Sequence, residues 1–503
     1  MIFDALVCTA ARAANTPRRV RGTWHGLSIV ATGGPHSVSA SPGTPRLPRP
    51  HIMAQASFDQ TTDSFLRWFT SLPGATFSEA IKIVDLRSRN AGRGIVATQD
   101  IPADATLFTI PRKAIINIET SRLRERIPSL FESNGDEDDQ QQLDSWTALI
   151  LILIYEHFQG ENSQWKPYLD VLPEAFDTPM FWNDAELAEL QASATRSKIG
   201  RESAEATFRT KLVPAVRTNP GVFPGSEGLN DEGLIALAHR MGSTIMAYAF
   251  DLENEHEEEE NEDGWVEDRE GKELMGMAHV NHEDESLTVT SLRPIRAGEE
   301  ILNYYGPLPN SELLRRYGYV TERHVRYDVV EIPWDTVLNA AVVQLGLSRD
   351  FVDKALERLD EEELEDVFVL EREFVEPNSD GTFAGPATLE DMPADLQDQL
   401  KRLLKALQKL DEGLVPDKRK RAEMQQAILV KSILDIESRY PTTMAEDKLF
   451  LQQESITPRQ RMAAQVRLGE KQLLQEAKGL LASASAETGQ DGSGPAKKAR
   501  RAG

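Results

Sequence analysis

The sequence predicts an α+β chain, in which a β domain is interrupted by a helical insert and followed by an all-α C-terminal domain. Three patterns predict it. Short apolar runs at Ile81 to Leu86, Gly94 to Ala97 and Ala105 to Ile110, and later at Ser286 to Leu292 and Ile301 to Tyr305, read as strands because turn residues bound them. Between those groups, about 145–250 has helical periodicity and helix-capping residues. After Pro333 the apolar spacing is helical.

Residues 1–52 differ from the rest. They set Arg12, Arg18, Arg19, Arg21, Arg46 and Arg49 against one acid, Asp4, among Ser, Gly and Pro. An Arg-rich, acid-poor start fits an organelle transit peptide. It equally fits untranslated sequence ahead of a start at Met53, the reading preferred here. On either view the stretch is expected to be a disordered basic extension.

The spacing of Phe58, Phe65, Leu66 and Phe69 predicts a short amphipathic helix, opening a domain that runs over 53–325. Asn90-Ala91-Gly92-Arg93-Gly94 is a turn whose paired glycines let a backbone approach a ligand; a plain hairpin turn explains them as well. Asn134 to Gln142 is a polar loop. Asp144 or Ser145 caps an apolar helix running through His157, with Trp146 in its first turn.

Asp251 to Glu273 is acidic and reads as a solvated loop, with attraction of a basic substrate as the sharper alternative. In the predicted helical domain, 326–482, Leu396, Leu400, Leu403, Leu404, Leu407 and Leu410 form one apolar stripe, and Val466, Leu473, Leu474, Ala477 and Leu480 another. The tail, 483–503, ends in Lys497-Lys498-Ala499-Arg500-Arg501, a pattern that suggests a nuclear address, with the cytoplasm as a second location.

Composition narrows the function. With 40% hydrophobic and 27% charged residues, a chain of 503 residues is long enough for two or three cores. A net charge of −25 argues against a nucleic-acid surface and fits a basic protein partner. The single cysteine, Cys8, leaves no disulfide framework and no Cys-rich zinc cluster; no metal site is expected. The longest uninterrupted apolar run, Ala148 to Ile154, is too short to cross a bilayer.

The segment Arg293 to Val320 carries the chemistry. Ala297-Gly298-Glu299-Glu300 is a tight turn, Ile301 to Tyr305 a strand closed by Gly306 and Pro307, and Asn310 or Ser311 caps a helix that stops at Gly318. The strand delivers Tyr304 and Tyr305 to a chain reversal, and the helix returns Tyr317 beside them. Three phenols around one glycine corner suggest placed hydroxyls.

A strand ending Asn-Tyr-Tyr-Gly after Ala-Gly-Glu-Glu resembles the catalytic end of SET-domain protein-lysine methyltransferases. Leu-Leu-Arg-Arg-Tyr-Gly-Tyr downstream, and the WKPYLDVLP and TPMFW stretches of the insert, resemble the Rubisco and ribosomal-protein lysine methyltransferase branch. The resemblance implies a SET-type β fold with a helical insert, a helical substrate-docking domain, and S-adenosyl-L-methionine as cofactor. It further implies methyl transfer to a lysine of a basic protein substrate, a ribosomal protein being one candidate. By resemblance Tyr305 is the catalytic tyrosine; Ala91, Gly92, Arg93, Gly94, Tyr248 and Tyr317 bind the cofactor; Trp146 serves the substrate side. Core packing accounts equally well for Tyr248 and Trp146 taken singly.

One departure stands out. The family carries an apolar strand ending in an Asn-His or Asn-Ala cofactor corner, whereas here Lys272 to Met277 runs straight into Ala278-His279-Val280-Asn281-His282. Asn281-His282 lies too near Tyr305 to be that corner and reads as the approach to a hairpin. Either a short exon is absent from the gene model or the protein lacks a cofactor wall, and the second case would make it an inactive protein-binding module on the same fold.

Overall fold

The computed structural model describes residues 7–9, 27–28, 50–89, 91–131, 143–251, 278–282, 285–302, 304–359, 364–375, 378, 382–383, 385–415 and 417–490. The acidic loop after Asp251, residues 272–277 and the Lys497 to Arg501 cluster lie outside them.

Of residues 1–52, expected to form a disordered extension, eight are described: 7–9, 27–28 and 50–52. Strand β1 (Val7–Thr9) and strand β2 (Leu27–Ser28) each find a partner far along the chain. Composition missed them because a ladder joins main chains, and a sheet edge accepts any segment that presents its N–H and C=O groups. Helix α1 (Pro50–Ser71) also starts earlier than the predicted Phe58, and buries Phe65 and Phe69 completely.

Next come β3 (Thr76–Phe77), β4 (Ile81–Asp85), β5 (Arg93–Ala97) and β6 (Thr106–Pro111), each within a residue or two of expectation where one existed. β4 and β5 form a hairpin, with Ile81 opposite Ala97 and Asp85 opposite Arg93. The insert opens with α2 (Ser145–Gln159), whose N-cap Asp144 accepts from the Thr147 N–H. Every residue from Thr147 to Glu156 is buried, as befits a helix apolar on all sides. α3 (Asp231–Tyr248) closes the insert and packs on α2.

After α3 the chain forms β7 (Ala249–Asp251), β8 (Ala278–His282), β9 (Ser286–Ser291) and β10 (Tyr304–Tyr305). The main sheet is antiparallel in the order β3-β6-β9-β8. Alternate residues Leu287, Val289 and Ser291 of β9 point into the core, as period-2 patterning requires. Asn281 and His282 sit opposite Thr288 and Leu287, inside a β8–β9 hairpin. β1 runs parallel to β7, and β2 pairs with β10.

Helix α4 (Asn310–Tyr317) occupies its predicted place, but neither Asn310 nor Ser311 caps it. Pro309 is the N-cap and makes no side-chain cap, because the Asn310 side chain accepts the Thr321 N–H at 2.8 Å instead. The C-terminal region is not wholly helical: β11 (Val330–Pro333) and β12 (Val367–Leu370) pair antiparallel ahead of its main helices. The Leu396 stripe is buried on helix Ala394–Leu410, with Leu410 half-buried at its end. The last helix, Pro458–Gln490, buries Val466, Leu473, Leu474 and Ala477. One core gathers side chains from Phe65 to Ile301 and a second gathers those from Val330 to Leu481.

Candidate functional site

The Gly92 turn and the tyrosine segment are joined by main-chain bonds. Gly92 adopts φ +65°, and its carbonyl accepts the Leu86 N–H at 2.7 Å, folding the loop tightly back on β4. β5 leaves that turn and pairs on its other edge with 299–301: Ala97 N–H donates to Glu299 at 2.9 Å, and Ile301 N–H to Ile95 at 2.8 Å. Gly298, at φ +87°, makes the reversal that permits this pairing, and its N–H donates to Ala97 at 2.8 Å. The expected strand Ile301 to Tyr305 is therefore split. Its start bonds to β5, and its end, Tyr304–Tyr305, forms β10. The backbone of Tyr305 follows Ile301, which bonds to β5, by four residues; its side chain lies outside the described ones.

Space at the turn is uneven. No heavy atom lies within 4 Å of a methyl built on Gly92, so its outer face is open. A methyl on Gly94 would fall 2.3 Å from Leu86 Cδ1 and 3.1 Å from Glu300 Oε1. Burial raises the Glu300 carboxyl above the usual range, with the Arg89 guanidinium acting against it. An open turn of this kind leaves room for a ligand to approach the main chain of Ala91 to Gly94. Asn281 and His282 lie in the β8–β9 hairpin, as their reading as the approach to a hairpin expected.

Arg93 has another task. Its guanidinium donates to Thr62 Oγ1 at 2.9 Å, Thr61 Oγ1 at 2.8 Å, the Phe58 carbonyl at 3.3 Å and the Val171 carbonyl at 3.0 Å. It also lies 3.9 Å from the centre of the Phe58 ring. Its side chain thus clamps the turn to α1 and the insert, which leaves only its main chain for a cofactor. Burial, followed by the nearby Arg87, lowers its pKa, and Tyr248 interacts with it electrostatically.

Helix α3 is the spine of the remaining candidates. Half-buried Tyr248 ends it beside Arg93, α4 with Tyr317 packs across it, and Gly242 faces Trp146 with a built methyl 3.9 Å from Cζ2. Trp146 is 37% exposed, so it is not a core residue. The Tyr317 and Tyr319 rings lie 6.2 Å apart. Gly318, at φ +76°, ends α4 against the insert, where a built methyl would stand 2.8 Å from the Asp177 carbonyl carbon.

Sequence reading missed the junction between the insert and the C-terminal region. A cavity of about 800 Å³ opens there, its walls including Ser193, Lys198, Arg315, Tyr440 and Glu470. The buried Glu470 accepts from Ser193 at 2.6 Å and from Tyr440 at 2.8 Å, and burial pushes its carboxyl up to about 8. Buried Asp447 pairs with Arg467 at 2.9 Å and with Lys471, while Arg467 reaches the Glu189 carbonyl at 2.6 Å. These pairs were invisible because their members are up to 278 residues apart in sequence.

Residues 92–306 match the SET domain family, and residues 387–474 match the Rubisco LSMT substrate-binding family. The chain carries a SET domain followed by a Rubisco LSMT substrate-binding domain. The SET domain's match begins at the Gly92 turn and ends at the Gly306 corner. Ribosomal lysine N-methyltransferase 4 of Saccharomyces cerevisiae is 31% identical over 325 residues, covering 60% of this chain and 64% of that protein. The chain thus spans just under two thirds of that relative. The protein of the same name in Schizosaccharomyces pombe is 26% identical, covering 64% of this chain and 79% of its own length. Human N-lysine methyltransferase SETD6 is 26% identical, covering 77% and 84%. The solved structure of Rubisco LSMT bound to AdoMet superimposes with a TM-score of 0.56 at 17% identity, over 86% of this chain and 93% of that one, which establishes the fold.

Proposed function

We propose that this chain transfers a methyl group from S-adenosyl-L-methionine to a lysine side chain of a protein, a ribosomal protein being the first substrate to test. The observation that supports this is the ladder between β5 and 299–301, which joins the strand leaving the open Gly92 turn to the segment leading into Tyr305. Relatives named as lysine N-methyltransferases support the reaction class, and the net charge of −25 suits a basic protein partner.

The cofactor, when bound, supplies an electrophilic methyl. Ala91 to Gly94 would hold it by main chain, with Tyr248 and Tyr317 as further contacts. The Tyr305 hydroxyl orients the amine and steadies the charge that shifts during transfer, and aromatic surroundings favour the neutral lysine by desolvation. Trp146, exposed at the start of α2, lies on the substrate side. The basic tail suggests a nuclear location, with the cytoplasm as a second one.

Incubation with S-adenosylmethionine carrying a labelled methyl and a set of purified ribosomal proteins tests the proposal. Label on a lysine, lost in Tyr305→Phe, is expected; no label despite saturable cofactor binding would overturn it. One observation favours a second reading, an inactive protein-binding module: the sequence after Met277 lacks the family's Asn-His cofactor strand, and Asn281 and His282 lie in a hairpin. Titration calorimetry on the chain, and on a version with a family-like strand inserted between Met277 and Ala278, separates the two. Weak binding restored by the insertion supports the module; tight binding without it supports the enzyme.

A further inference from the structure

Helix α4 starts without a side chain of its own to cap it. The first N–H groups of a helix have no partner within it and favour a negative charge. Here the Asn310 N–H donates to Asp328 Oδ1 at 3.1 Å, so the cap arrives from eighteen residues downstream. Both residues are buried, with Asn310 1% and Asp328 3% exposed. The other oxygen, Asp328 Oδ2, is buried without a hydrogen-bond partner. Gly469 of the last helix lies against it: a methyl built there would fall 1.9 Å from Oδ2 and 2.8 Å from Cγ, but 3.6 Å from Cβ. Glycine is thus what lets the last helix rest on the carboxylate.

The same helix grips the insert on either side of Gly469. Arg467 bonds the Glu189 carbonyl, and Glu470 accepts from Ser193. At its other end α4 carries Tyr317 and stops at Gly318 against Asp177. A displacement of the last helix must therefore press on Asp328, and through the Asn310 N–H on the seat of α4.

We propose that Asp328 is a positioning residue, through which the last helix of the C-terminal domain sets the seat of α4 and so of Tyr317. The proposal rests on the methyltransferase reading only where it touches activity.

The test is a cycle of Asp328→Ala, Gly469→Ala and both together in the full chain. It is read by hydrogen exchange of amides 310–318 and by the affinity for S-adenosylmethionine. Gly469→Ala alone should speed exchange across α4 by roughly tenfold and weaken cofactor binding severalfold, because its methyl collides with the carboxylate. In the Asp328→Ala background the same substitution should add nothing, since the colliding atoms are gone. Asp328→Asn, which keeps an acceptor for the Asn310 N–H, should hold α4 exchange within about twofold of the parent.

Equal and additive effects of Gly469→Ala in the two backgrounds would overturn the proposal, as would unchanged α4 exchange in Asp328→Ala. Should Asp328→Ala fail to fold, Gly469→Ala alone decides it: faster exchange at 310–318 supports the proposal, and unchanged exchange there despite the collision would overturn it. A parent chain that binds no cofactor would count against the methyltransferase reading alone, for the exchange arm needs no ligand.

Discussion

The Ile301 N–H donates to the Ile95 carbonyl at 2.8 Å, and that bond ties the strand leaving the Gly92 turn to the segment that delivers Tyr305. The two motifs are some two hundred residues apart in sequence, yet the segments leading out of one and into the other share a ladder. Placement by main chain is rigid, which suits a reaction in which alignment supplies much of the rate.

Tyr304 and Tyr305 are neighbours in β10, and side chains alternate faces along a strand. One hydroxyl of the pair, that of Tyr305, is therefore expected to serve the site. Tyr305→Phe should lower methylation by about a hundredfold or more while leaving the unfolding midpoint and cofactor affinity near the parent's, in line with loss of one charge-stabilising donor. Tyr304→Phe should leave the rate within about threefold; an equal loss would assign the role to the wrong phenol.

Arg93→Lys replaces a fork that reaches four acceptors with a single ammonium. Unfolding free energy in urea should fall by about 1–3 kcal/mol. Cofactor affinity should fall as well, because α1 no longer braces the turn. A variant with normal stability and poor binding would instead place the guanidinium at the cofactor.

Asp447 is fully buried between Arg467 and Lys471. Asp447→Ala leaves both cations buried without their anion, which should cost about 3–5 kcal/mol. Proteolysis in mild denaturant should then cut first near 440–470, where the last helix leaves the insert.

Glu470 predicts a pH dependence. Its folded carboxyl holds a proton to about pH 8, whereas an unfolded glutamate releases it near pH 4.3. Between those values the folded state binds more protons, so unfolding free energy falls as pH rises and the loss is complete just above pH 8. Asp328, pushed up to about 7 by burial, adds the same sign, and Lys471 and Arg372 oppose it. The combined loss should be on the order of 7 kcal/mol between pH 5 and 9. Glu470→Gln keeps an oxygen for Ser193 or Tyr440 and should flatten it, measured as denaturation midpoints at pH 6 and pH 9. An unchanged slope would show that another group titrates.

Local rules carried most of what the sequence revealed. Asp144 could be read as a cap and β9 as a strand because their determinants lie within a few residues. The Gly92 turn and the Tyr305 strand were legible as motifs, and their adjacency came from resemblance. What stayed hidden depends on distant partners. Arg93 looked like part of a loop, and nothing nearby announces Val171 or Phe58 as its acceptors. Asn310 looked like a cap, but the fold gave its side chain to Thr321 and took its cap from Asp328. β11 is followed by its partner β12 only after some thirty residues of mostly helical sequence, so nothing local marked β12 as a strand.

Three glycines around the site set different tolerances to substitution. At 318 a side chain would strike main-chain atoms of Asp177 and Thr178, which cannot rotate away, and φ is +76°. At 94 the obstacle is the tip of Leu86, a flexible side chain. At 92 there is no obstacle, only a left-handed backbone that asparagine accepts more readily than most residues. A library randomised at all three and selected for folding should return glycine alone at 318, glycine with small residues at 94, and glycine with asparagine or aspartate at 92. Room to evolve a new cofactor preference therefore lies at the mouth of the turn, while the far end of α4 is frozen by the backbone it touches.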